Sequence, residues 1–199
     1  MKIVLASGSA SRQAVLRAAG VEPLMHPADV DEDRLLAELI DAPPHTQVLT
    51  LSQAKAEDVA PHYPNDVVIG CDSMLLLDGQ LQGKPLTVEN TIARWKQQRG
   101  KTGELITGHC IIAPGDGERV LKAVHSKVTF GQVSDSDIEA YARTGEPLQC
   151  AGAFTLEARG GWFIDDIEGD PSNVLGISLP LVRKALYQFG HDVSNYWIY

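Results

Sequence analysis

The chain has 199 residues, 44% of them apolar, with both signs of charge interspersed and a formal net charge of −9. That balance excludes a disordered chain and fits a soluble globule of one domain, residues 1–199, drawn out into two lobes at most. A negative overall field repels polyanions, so nucleic-acid binding is not expected, and a phosphate ligand would need local Lys and Arg, backbone N–H groups or a metal. Cys71, Cys110 and Cys150 are odd in number and far apart, which is neither a disulfide framework nor a zinc spacing and suits a reducing cytosol. The apolar stretch at Met1–Ala6 is too short for a signal h-region, and no run approaches the roughly 20 apolar residues of a membrane span. The expected location is the cytoplasm, away from any membrane.

In chain order, the run Ile3 to Ala6 reads as a strand entering the small-residue loop Ser7-Gly8-Ser9-Ala10-Ser11-Arg12. A helical pattern follows, with serines to cap it and Gly20 suited to its left-handed C-terminal position. A second short run, Val21 to His26, precedes an acidic loop containing Asp29, Asp31 and Glu32. Helical patterns follow around Leu35 to Ile40 and from Thr46 to about Ala60. Asp66 to Leu77 is the most apolar segment, and Asp78-Gly79 signals a hairpin turn after it. Thr87 to Gln98 reads as a helix closed by Gly100. Leu105–Ala113 and Val120–Phe130 read as a long hairpin around Pro114-Gly115-Asp116-Gly117. Ser134 with Asp137 opens a helix that Gly145 ends. Cys150–Leu156 and Gly161–Ile167 are expected to form another hairpin around Gly160-Gly161, before a last helix with Val182, Ala185, Leu186 and Phe189 on one face. Strands and helices mix without strict alternation, which predicts an α/β fold with a mixed, elongated sheet flanked by helices.

Three groups of residues carry chemical promise. Asp72 sits inside a continuous apolar run, and a buried carboxylate needs a partner or a metal, although an Asp after a strand is more commonly a turn or cap. Lys55 shares a helix face with Val48, Leu51, Ser52 and Val59, so it either points into the interior or snorkels to water. Ser7, Ser9 and Arg12 lie in a loop whose N–H groups, hydroxyls and guanidinium suit a phosphate at a helix start, or simply make a capped helix with a surface arginine. This is neither a P-loop nor a dinucleotide fingerprint, since no Gly-Lys-Ser/Thr follows and only Gly8 is present. Lys84 is presented by the turn Gly83-Lys84-Pro85, a routine place for a surface lysine. Asp31 and Glu32 offer oxygen ligands that could join Asp72 on Mg²⁺ or Mn²⁺, or merely suit a helix N-terminus. Asp165, Asp166, Glu168 and Asp170 are as consistent with a solvated loop as with a ligand set, and the histidines show no metal spacing. Trp95, Trp162 and Trp197 read as core or interface residues.

Taken in order, these pieces resemble the Maf family of septum-formation inhibitor-like nucleotide pyrophosphatases. The resemblance begins at Leu5-Ala6-Ser7-Gly8-Ser9 with Arg12. It continues through Val30-Asp31-Glu32, Ala54-Lys55-Ala56, Gly70-Cys71-Asp72-Ser73 and Gly83-Lys84-Pro85. It ends with Gly145-Glu146-Pro147, Ala151-Gly152-Ala153-Phe154 and the stretch from Ile167 to Gly176. The resemblance implies a mixed-sheet fold of two lobes with a cleft, like that of inosine triphosphate pyrophosphatases. It also implies hydrolysis of a nucleoside triphosphate to monophosphate and pyrophosphate with Mg²⁺ or Mn²⁺. Carried over, Asp72 matches the proton acceptor, Ser9, Arg12, Lys55 and Lys84 match positions around the phosphates, and Glu32 matches a metal-side carboxylate.

The departures fall where base selection is expected. Ser11 stands where the family often has a second arginine, Cys71-Asp72-Ser73 replaces the common Ala-Asp-Thr, and Glu157 stands where members preferring dTTP and UTP carry Gln. Glu157 resembles members acting on 7-methyl-GTP, whereas Ser11 lacks their stacking tryptophan. Ser11, Ser73 and Glu157 are therefore the expected specificity positions, without a named base. Two other readings stay open: a nucleotide-binding regulator of septum formation with little turnover, and a metal-dependent phosphomonoesterase. Removal of non-standard nucleotides is a further expectation, and the apolar tail Tyr196–Tyr199 either packs internally or supports a homodimer.

Overall fold

A computed structural model of the chain describes residues 1–115 and 117–198. Its strands are β1 (Ile3–Leu5), β2 (Leu24–Met25), β3 (Val67–Leu77), β4 (Gln80–Gln82), β5 (Thr102–Ile112), β6 (Arg119–Phe130) and β7 (Ile164–Glu168). Its helices are α1 (Ala10–Ala18), α2 (Glu32–Glu38), α3 (Pro44–Val59), α4 (Val88–Gln98), α5 (Asp135–Arg143), α6 (Pro171–Val174) and α7 (Leu179–Gln188). The strands make one mixed sheet in the order β2-β1-β3-β5-β6-β7, with β4 paired to β3. β1 runs parallel to both β2 and β3, while β3–β4 and β6–β7 are antiparallel. The mixed α/β class expected from the sequence is the one found.

The chain divides into two compact units: residues 1–72, 107–124 and 176–199 form one, and residues 73–106 and 125–175 the other. Strands β3, β5 and β6 pass from one into the other. In the first unit α3 lies directly on the sheet backbone. A Cβ at Gly70 of β3 would sit 2.2 Å from the Ser52 carbonyl oxygen, and one at Gly108 of β5 2.2 Å from that of Val48. Only glycine permits so close an approach. The helix buries Val48, Leu51, Ser52, Lys55, Ala56 and Val59, the face read from the sequence together with Ala56. In the second unit the core centres on Trp95, which meets Phe130, Tyr141 and Phe163 edge to face at 5.6–5.9 Å.

Local signals are honoured at most ends. Ser9, Thr87, Ser134 and Ser178 each accept a backbone N–H at a helix start, and Gly20, Gly100 and Gly145 take positive φ as expected. Asp78 and Gly79 both have positive φ, as a tight hairpin requires. Helix α2 begins at Glu32, earlier than its apolar pattern suggested, because the Asp31 side chain caps it by accepting from Arg34 N. In α7 the buried face is Leu181, Val182, Ala185 and Leu186, while Phe189 caps the end half-buried.

One expectation fails. Residues 150–163 are not a hairpin: they form two short 3₁₀ turns, Ala151–Ala153 and Arg159–Phe163, around the extended Phe154. Gly152 and Ala153 both have positive φ, which breaks any strand there, and β7 pairs with β6 instead. Asp116 of the predicted 114–117 turn and Tyr199 of the apolar tail lie outside the described residues. The rest of the tail packs internally in part: Tyr196 is buried, and Ile198 N donates to Gly20 O at 2.8 Å.

Candidate active site

The first unit brings six of the sequence-predicted residues into two adjoining groups. In the loop after β1, Ser7 Oγ accepts from Ser9 N (3.1 Å) and from Arg12 Nη1 (2.9 Å). Arg12 Nε donates to the Gly176 carbonyl at 2.8 Å. Gly176, at φ 102°, leaves just enough space for the guanidinium, because an added Cβ would stand 3.3 Å from Arg12 Nε. The arginine is thus a half-buried, oriented fork above a capped helix N-terminus, not a surface ornament.

The second group is an ion-paired cluster of three side chains. Lys55 Nζ lies 2.8 Å from Asp72 Oδ1 and 2.9 Å from Glu32 Oε2. Lys55 and Asp72 are almost wholly buried, at 11% and 12% side-chain exposure, whereas Glu32 is 45% exposed. The turn of α3 and the register of β3 place the lysine over the carboxylate. Burial pushes the Asp72 carboxyl above its ordinary range, with Lys55, then Arg12, pulling it back down. The influence of Arg12 on Asp72 joins the two groups. Cys71, beside Asp72, is pushed up to about 11 by burial and is an unreactive thiol.

Asp72 and Glu32 also answer whether a divalent cation suits this site. Both are hard oxygen donors, and Lys55 is held by one oxygen of each. Among the described residues no group of three or more His, Cys, Asp or Glu side chains could hold a metal. Two carboxylates are fewer donors than a protein cage supplies, so an ion held by them would take its remaining ligands from water and phosphate, as Mg²⁺ commonly does. Asp31 is engaged as the cap of α2, and Asp170 as the cap of α6.

Lys84, Ser73, Glu157 and Trp162 belong to the second unit. Lys84 is exposed on a turn tied at Gly83 O by Arg94 Nη1 (2.5 Å) and at Leu86 N by Leu148 O (3.0 Å). Glu157 is exposed, Ser73 is half-buried on β3, and Ser11, in the first unit, is half-buried in α1. The Cys150 thiol is pushed up to about 11, first by burial and then by Glu157 and Glu146, with Lys84 pulling the other way. Lys84 and Glu157 therefore act on one neighbourhood of this unit. Trp162 is 89% exposed, while Trp95 is core.

Two residues were not singled out from the sequence. His109 is fully buried, its Nε2 accepting from Ser178 N (2.9 Å) and its Nδ1 facing Thr107 O (3.0 Å), an arrangement that suits a neutral ring. Glu146 is a nearly buried carboxylate within the resemblance at Gly145-Glu146-Pro147, but its partners are distant in sequence and no local pattern names them.

The sheet, the serine–arginine loop and the buried lysine between two carboxylates define an α/β protein with an arginine-anchored loop at a helix N-terminus beside a buried cluster of opposite charges. Residues 2–189 match the family model described as Maf-like protein. The chain belongs to the Maf-like family. It is 66% identical over 197 residues to the nucleoside triphosphate pyrophosphatase of Corynebacterium diphtheriae, covering 99% of this chain and 98% of that one. It is 61% identical to that of Corynebacterium glutamicum strain R over 99% of each, and 51% identical to that of Rhodococcus erythropolis over 98% and 96%. Among solved structures it is similar to the Staphylococcus aureus Ham1 protein, at 17% identity and a TM-score of 0.41 over 66% of this chain and 73% of that one.

Proposed function

We propose that this chain is a nucleoside triphosphate pyrophosphatase, a hydrolase that opens the α–β phosphoanhydride to give a nucleoside monophosphate and pyrophosphate. The observation that carries this reading is the buried Lys55 held between Glu32 and Asp72, beside a fixed arginine. A triphosphate is multiply negative, so an attacking water needs cations around the phosphates and a base to take its proton.

In this reading Asp72 orients the water and accepts its proton on the carboxylate. Burial raises the Asp72 pKa above the ordinary carboxylate range and makes it a better base than an exposed aspartate. Lys55 keeps that buried carboxylate in place and offers positive charge to the phosphates. Ser7, Ser9 and the α1 N-terminus supply N–H and hydroxyl groups to phosphate oxygens, and Arg12 and Lys84 supply charge. Asp72 and Glu32 would hold a divalent cation, Mg²⁺ or Mn²⁺, which when bound neutralises phosphate charge and polarises the phosphoryl group. Ser11, Ser73 and Glu157 are proposed to select the base, with the Glu157 carboxylate accepting an N–H or favouring a cationic methylated purine. Removal of modified nucleotides in the cytoplasm, by a monomer or a homodimer, is the biological role proposed here.

The test is a panel of canonical, methylated and deaminated nucleoside triphosphates with Mg²⁺ or Mn²⁺, following pyrophosphate and orthophosphate in parallel. Pyrophosphate with the matching monophosphate is expected. Orthophosphate alone would replace this reading with a phosphomonoesterase, and tight binding without turnover would replace it with a regulator of septum formation.

A further inference from the structure

Glu146 is a carboxylate that the proposed chemistry does not use, and its side chain is only 13% exposed. It opens the turn Glu146–Gln149 directly after Gly145. Its Oε1 accepts from Thr155 Oγ1 (2.5 Å) and from Gly160 N (3.1 Å), and its Oε2 accepts from Arg159 Nη1 (3.0 Å). A single oxygen thus joins the two ends of the segment Thr155–Gly160. The closure is tight on its other side as well. Thr155 N donates to Tyr141 Oη at 3.1 Å, and a Cβ on Gly160 would lie 2.4 Å from Thr155 O and 2.6 Å from Tyr141 Oη.

What the closed segment presents is Glu157, exposed at its tip together with Ala158. Without the closure these residues would sample many backbone conformations, and a recognition group that must be ordered on binding recognises less sharply. Burial opposes ionisation of Glu146, but the hydrogen bonds from Thr155, Gly160 and Arg159 prevail and hold it below the ordinary carboxylate range. It is therefore ionised at neutral pH and accepts from all three donors at once.

We propose that Glu146 is a positioning residue for base selection, tying Thr155 to Gly160 so that Glu157 meets the nucleobase in one fixed orientation. The proposal rests on the reading of Glu157 as a specificity position. Neither residue need touch the phosphates for this. Glu146 acts only through the loop it closes.

The test compares kcat and KM across the canonical nucleoside triphosphates and 7-methyl-GTP for wild type, Glu157→Ala, Glu146→Met and the double variant. Met preserves the length of the side chain but has no oxygen to accept from Thr155 and Gly160. Each single variant is expected to cut the ratio of kcat/KM between best and worst substrate about tenfold, mainly through KM. The double variant should lose no more than either single one, because both act through one loop. Amides of residues 154–163 should exchange faster with deuterium in Glu146→Met, while those of α4 should not. Thr155→Val removes the donor hydroxyl at one end of the segment and must lower discrimination in the same way, which keeps the test decisive if Glu146→Met does not fold. Lost discrimination in Glu157→Ala with wild-type ratios in Glu146→Met would overturn the positioning role and leave Glu157 standing. Unchanged discrimination in Glu157→Ala would overturn the reading of Glu157, and this proposal with it.

Discussion

Asp72 owes its proposed chemistry to a conflict between burial and charge. Its pKa is raised on folding, so the native state binds a proton more tightly than the unfolded chain, and stability falls as pH climbs from the ordinary carboxylate range through the raised value. The ionised form of the group therefore costs stability while serving as a base. Asp72→Asn should lower kcat by at least about 10² to 10³-fold. The same variant takes one carboxylate from the buried Lys55 but leaves it Glu32, so the protein should stay folded with a modestly lower thermal midpoint, which a circular-dichroism melt alongside the assay would read. Lys55→Met should behave differently, because it leaves a buried carboxylate without its lysine. A destabilisation of about 3–5 kcal/mol is expected from breaking a buried pair. Since the base works only when ionised, the acidic limb of the pH–rate profile should also move to higher pH. Unaltered stability in Lys55→Met, measured by urea titration, would show that Lys55 does not neutralise Asp72. Both residues were legible in the sequence, one as a charge in an apolar run and the other as a charge on an apolar helix face.

The helix α3 and the closed segment Thr155–Gly160 show how far local pattern reaches at the level of elements. The stripe of α3 was readable from its period, but its distance from the sheet was not, because that is set by Gly70 and Gly108 on strands far along the chain. Gly70→Ala would place a methyl 2.2 Å from Ser52 O and 2.7 Å from Ala56 N, both backbone atoms that cannot swing aside. We expect a loss of at least about 1–3 kcal/mol by chemical denaturation, and reduced activity as Lys55 shifts with the helix. The 150–163 region misled for the opposite reason. Glycine pairs suggest hairpins, yet Gly152 serves a positive-φ turn and Gly160 a close approach to Thr155, neither of which a short-range pattern separates from a hairpin bend.

Across the whole molecule, neither compact unit is a continuous stretch of chain. Residues 1–106 carry Ser7, Ser9, Ser11, Arg12, Glu32, Lys55, Asp72, Ser73 and Lys84, nearly all the proposed site. They lack residues 107–124 and 176–199 of the first unit, and with them His109, Gly176, Ser178 and the buried face of α7. A 1–106 fragment is therefore expected to be unfolded and inactive, and a dispersed NMR spectrum from it would contradict this. The net charge of −9 belongs to this scale too: it keeps the proposed anion chemistry local, at one loop and a few cations, rather than spread over a basic face.

The sequence by itself determined the class of fold, most element positions and caps, and the chemical character of Ser9, Arg12, Lys55 and Asp72. Those properties follow from hydrophobic period, capping chemistry and the cost of burying charge, all of which act over a few residues. Only the tertiary structure decided that Lys55 bridges Asp72 and Glu32, that Arg12 is anchored on Gly176, and that Glu146 closes the segment bearing Glu157. Each of those contacts joins residues 9 to 164 positions apart. Which distant partner a buried polar group finds is set by sheet register and close packing, not by its neighbours in the chain.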